Sequence, residues 1–90
     1  GILVTRPLTF RGNRLHVNAQ VARGGRLRAA LVTADNRPIS GFGFDDCREV
    51  TGDGIDLEVA WRAGARLPDA VRPRLKFELS RARLFSFWIE

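Results

Sequence analysis

The sequence predicts an all-β domain, a two-sheet antiparallel β-sandwich of about seven or eight strands filling residues 2–90 as one unit. Three observations predict it. Apolar and polar residues alternate with period two through most of the chain. Turn-forming residues interrupt that alternation at short intervals. No stretch joins helical periodicity to helix caps, and residues 66–70 leave room for one helical turn at most.

The strands follow in order. Residues 2–10 read as a strand edged or interrupted by Pro7, which has no amide to give to a ladder. Leu15, Val17, Ala19 and Val21 alternate with His16, Asn18 and Gln20. Gly24-Gly25 reads as a turn, after which Leu27, Ala29 and Leu31 resume the pattern. Ile55, Leu57, Val59 and Trp61 alternate with Asp56, Glu58 and Ala60, the clearest amphipathic strand. Leu75, Phe77 and Leu79 alternate with Arg74, Lys76 and Glu78. The last strand, Leu84 to Ile89, is apolar on both faces, which suits either a central position or a docked one.

One connection stands apart. Residues 34–53 hold a turn signal, two Gly-Phe steps, adjacent carboxylates, the lone cysteine and a second turn signal. Asp35-Asn36-Arg37-Pro38 suits a tight turn, because Asp and Asn tolerate left-handed backbone and bond their own main chain. Gly41 and Gly43 let the chain bend between sheets. Phe42, Phe44 and Cys47 are expected to plug the core, and Asp46 and Asp53 to accept loop amides. No helix start follows the Gly-Phe steps, so they have no phosphate-loop character.

Composition narrows the function classes. A 90-residue chain buries roughly 60–65% of its unfolded surface, so each large apolar side chain matters. No apolar run reaches the ~20 residues of a membrane-spanning helix, and no membrane partner is expected. The net charge is +5, and with one lysine among 15 basic residues, 15 − 1 leaves 14 arginines, the usage of a GC-rich genome. They are spread along the chain, whereas a nucleic-acid stripe would cluster them. The chain has no methionine, so it reads as a piece excised from a longer protein, with Gly1 a cloning remnant.

No complete catalytic set is visible. Asp45 and Asp46 are neighbours and would point to opposite sides of a strand. Asp53 or Glu49 is the nearest partner for a glycosidase pair, and the four together have no recognised calcium-loop spacing. His16 has no nucleophile beside it and lies on the polar side of its strand. Cys47 follows two acidic residues, which raise a thiol pKa, and reads as a buried structural thiol. One cysteine excludes an internal disulfide and a cysteine-rich zinc site. No metal and no cofactor is expected. Trp88, Trp61 and Phe85 are the aromatic side chains available for stacking on a sugar or docking on a neighbour, and Trp61 sits on the core side of its strand.

Several segments, in order, resemble one family. They are Arg14-Leu15-His16-Val17-Asn18, Asp35 to Phe42 with its Pro38-Ile39-Ser40-Gly41-Phe42 step, Asp46-Cys47, Gly52-Asp53, Val59-Ala60-Trp61, Arg74-Leu75-Lys76-Phe77 and Leu84-Phe85-Ser86-Phe87. Together they resemble the C-terminal β-sandwich domain that follows the five-bladed propeller in bacterial glycoside-hydrolase-like proteins of the family 32 type. Phe85 stands where tyrosine is usual, and Pro73 lies inside the penultimate strand. The resemblance implies a non-catalytic accessory domain supporting a catalytic propeller that lies outside this chain. It implies a secreted or periplasmic parent acting on a glycan, and contacts between copies through the C-terminal strand. It transfers no catalytic residue. Two other classes stand beside it: a carbohydrate-binding module using exposed aromatics, and a basic nucleic-acid-binding β-domain.

Overall fold

The computed structural model describes residues 1–90 and is all-β. Four strands form one antiparallel sheet in the order β1-β4-β2-β3. They are β1 (Ile2–Val4), β2 (Leu15–Val32), β3 (Gly54–Val59) and β4 (Arg74–Ile89). The expected seven or eight separate strands are therefore four. The Gly24-Gly25 step read as a turn is a bulge inside β2, and the last two expected strands are one continuous β4.

The bulge bends the β2–β4 ribbon. Val21 pairs with Ala82 and Arg26 with Ser80, so residues 22–25 stand against Arg81 alone. Gly25 packs so closely on β4 that a Cβ there would lie 2.5 Å from the Ser80 carbonyl oxygen. Gly24 has φ +78° and Arg81 φ +50°, and both conformations strengthen the local twist. Eighteen extended residues would span roughly 60 Å, yet the molecule measures only 35 × 24 × 22 Å. The ribbon must fold over itself. Both of its halves then serve one core: Leu15, Val17, Ala19 and Val21 from the first, Leu27, Ala29 and Leu31 from the second. Cys47, Val59, Trp61, Leu67, Leu75 and Phe77 complete it.

The outer edge of β2 carries the connection singled out in the sequence. Beyond the bulge, the edge-facing backbone groups belong to residues 27, 29, 31 and 33. Leu27 exchanges two 2.9 Å hydrogen bonds with Val50. The Ala29 amide donates to Cys47 Sγ (3.3 Å), and its carbonyl accepts from the Trp61 indole Nε1 (3.0 Å). The Leu31 amide donates to the Phe42 carbonyl, and its own carbonyl accepts from Ile39. Thr33 donates to Arg37. The irregular chain thus replaces a fifth strand, pairing groups that would be costly if buried alone.

The turn that starts this connection follows from its residues. Asn36 takes the left-handed φ of 67°. The Thr33 hydroxyl donates to Asp35 (2.5 Å) and accepts the Arg37 amide (2.9 Å). Phe42 packs against Trp61, with ring centroids 5.2 Å apart. Phe44 differs from expectation. It sits in a single 3-10 turn, Phe44–Asp46, beneath the Arg28 guanidinium at 5.7 Å, and is not among the buried core residues.

Trp61 is fully buried, and a side chain of its size contributes roughly 4–6 kcal/mol of transfer free energy. Trp61→Phe keeps most of that area but leaves the Ala29 carbonyl without its donor. We expect a loss of about 1–3 kcal/mol, read as a lower urea midpoint by circular dichroism. Trp88→Phe, which loses only the indole N–H bond to Glu90 and keeps a ring beside His16, should change stability by less than about 0.5 kcal/mol.

Candidate functional site

In the first half of β2 the odd-numbered residues Leu15 to Val21 face the core, so the even-numbered ones line the opposite face. His16, Asn18 and Gln20 stand in a row there, in register with Trp88, Ser86 and Arg83 of β4. Glu58 of β3 lies opposite His16. The His16 and Trp88 rings stack at 5.5 Å and 8°. His16 Nδ1 lies 2.6 Å from Asp56 Oδ1, and Nε2 lies 3.5 Å from Glu90 Oε2. This end of the face is acidic and aromatic. His16, read from sequence as a plain surface residue, has a side chain only 12% exposed.

The other end of the row is a groove at the bend. Gln20, Val21, Ala22, Asp53, Arg81, Ala82 and Arg83 line a depression of about 620 Å³. A second depression of about 250 Å³ shares Gln20 and Asp53 and continues past Asn18 to Ile55. Asp53 Oδ1 accepts the Val21 amide at 2.6 Å, so one carboxylate oxygen is tied to the backbone. Arg81 and Arg83 make no side-chain hydrogen bond and no ion pair. Sequence reading missed this groove, because it depends on a bulge inside one strand and not on a motif.

The residues singled out in the sequence are dispersed. Trp61 is in the core and is not available as a surface contact. Trp88 is half-buried, with one ring face against His16. Phe85 is 56% exposed, displaced at the irregularity where Asn18 pairs with Ser86 and Ala19 with Leu84. Asp35 pairs with Arg37 at 3.0 Å, and Pro38 forms an isolated bridge to Val32. Gly41 takes φ +84° beside the half-buried Phe42. Asp46 accepts the Gly43 amide at 3.1 Å.

The carboxylates of the connection are not gathered at one point. Asp45 faces Arg28 at 3.6 Å, and Glu49 faces Arg26 at 3.9 Å. Arg28 also holds Glu78 through two 2.9 Å bonds, so this network ties the connection to the sheet. No group of three metal-ligating side chains comes together.

Cys47 is buried and accepts the Ala29 amide. Burial pushes its thiol above the usual range, against the smaller lowering effects of the Ala29 hydrogen bond and the Arg28 charge. The sign is then defined. Above about pH 8.5 the unfolded thiol ionises while the folded one stays protonated, so the unfolded state binds fewer protons and stability falls. The full contribution is present below that pH and is lost as pH rises through the folded pKa. Cys47→Ala should flatten this alkaline slope relative to the parent chain in urea titrations across the pH series. Identical slopes would remove the assignment.

Comparison of the chain with protein-family models, curated proteins and solved structures found no match.

Proposed function

We propose that this chain is a non-catalytic accessory β-domain that packs against a neighbouring domain of a glycosidase-like protein. The observation that carries this reading is the free edge of the sheet. Ile2, Leu3 and Val4 are 59%, 51% and 49% exposed on the outermost strand. The Gly1 carbonyl accepts from Leu79 and the Thr5 amide donates to Leu75, so by alternation Ile2 and Val4 turn their backbone groups away from β4. An apolar edge with unpaired amides is what another sheet or an extended segment recognises. Natural edges that stay in solvent carry charge or proline instead, and Pro7 comes only after β1 ends.

The dispersed carboxylates support the non-catalytic part of the reading, since Asp35, Asp45, Asp46, Glu49 and Asp53 each serve a local partner. The order of sequence motifs supports the glycosidase-like context. The bend of the ribbon supports reading the architecture as a sandwich whose two layers are the two halves of one β2–β4 ribbon.

Two measurements test the proposal. The chain alone should show no turnover of chromogenic glycosides, and any turnover that survives purification would sink it. In hydrogen exchange, the Ile2 and Val4 amides should exchange rapidly in the chain alone and be protected in the full-length parent. Equal exchange in both would remove this edge as the docking surface.

A further inference from the structure

We propose that the groove at the bend binds a small oxyanion carried on a hydroxylated body, a phosphorylated or carboxylated sugar being the simplest form. Two guanidinium groups, Arg81 and Arg83, lie on its wall with all their donors unused by the protein. A planar guanidinium binds phosphate or carboxylate oxygens in pairs. Asp53 and Gln20 line the same depression, Gln20 as the cross-strand neighbour of Arg83, and Asn18 lines the adjoining one. Asp53 keeps one oxygen on the Val21 amide and has the other free to accept a hydroxyl. Gln20 and Asn18 both donate and accept. Donors for an anion and acceptors for hydroxyl groups therefore line one depression, and Asn18 extends the acceptors into its neighbour.

Backbone strain marks the same place. Arg81 is held at φ +50°, a conformation that suits glycine or asparagine and costs an arginine roughly 1–2 kcal/mol. Gly24 and Gly25 opposite it supply the close approach, and the Arg81 guanidinium lies over Gly24 without a hydrogen-bond acceptor there. A strained residue on the wall of a groove is a reason to look for a ligand.

The charge pattern sets the size of that ligand. A nucleic acid needs a continuous basic track. Here the same sheet face turns acidic beyond Asn18, at Asp56, Glu58 and Glu90. A polymer crossing the groove would run into that acidic end, whereas a compact anion would stay between the arginines and Asp53.

Isothermal titration calorimetry on the chain tests this with glucose 6-phosphate, glucuronate, inorganic phosphate, glucose and a single-stranded oligothymidylate. Glucose 6-phosphate or glucuronate should bind at least about tenfold more tightly than glucose, and the tighter of the two identifies the head group. Arg83→Gln should weaken that ligand roughly tenfold to a hundredfold. Arg81→Asn, which tolerates the left-handed backbone, should do the same while leaving the circular dichroism spectrum intact and the urea midpoint no lower than the parent's. The proposal is overturned by equal affinity for glucose and its phosphate, or by inorganic phosphate matching the sugar phosphate. It is also overturned by silence with both charged sugars, by unchanged affinity in the two variants, or by preference for the oligonucleotide.

Discussion

The fold depends on the two edge-facing backbone groups of one residue, Ala29. It lies in the second half of β2, fully buried, with its amide and carbonyl turned away from β4. A buried pair of main-chain groups left unpaired costs several kcal/mol, a large fraction of the stability of a domain this small. A regular strand would pair them by backbone. This chain pairs them with a thiol and an indole from two other segments. Cys47 and Trp61 also form an isolated bridge with each other, so three parts of the chain meet at one residue. The connection 34–53 can then be irregular without leaving the edge of β2 open.

The bend in the ribbon makes that meeting possible. Trp61 follows β3, which pairs with the first half of β2, while Ala29 belongs to the second half. The two halves must turn toward each other for the indole to reach. Gly25 permits the turn by letting β2 touch the β4 backbone, and Arg81 completes it in a conformation that glycine would take more cheaply. The groove is a by-product of the same geometry. Four residues against one cannot lie flat, and the space they leave is walled by the side chains before and after the bulge.

These relations explain what the sequence disclosed. Alternation reported the core correctly, since Leu15, Val17, Ala19, Val21, Leu27, Ala29 and Leu31 all point inward. It could not report strand count, because Gly24-Gly25 has the same composition in a hairpin turn as in a bulge. The parity of the pattern held the clue. Val21 and Leu27 are both odd, so the face does not change across the glycines. Asp35-Asn36-Arg37-Pro38 was legible because its conformation is local. Phe44 was not, since its neighbour Phe42 has the same chemistry and only the 3-10 turn sends one ring to Trp61 and the other to Arg28. The groove was illegible for a related reason: Asp53 and Arg83 are 30 positions apart, and no spacing rule links them.

Arginine usage takes on a different meaning in three dimensions. Only Arg26, Arg28 and Arg37 pair with carboxylates, and the first two form the network that holds the connection to the sheet. Ten carboxylates are too few to pair with all 14 arginines. Spread over an open surface, unpaired arginines are solvated and contribute little. Arg81 and Arg83 differ because the bulge places them on one concave wall beside a carboxylate already committed to the backbone. Asp53 cannot swing across to neutralise them without giving up the Val21 amide, the edge-facing donor nearest the bulge. The hydrogen bond that closes the edge of β2 therefore also keeps the two guanidinium groups free.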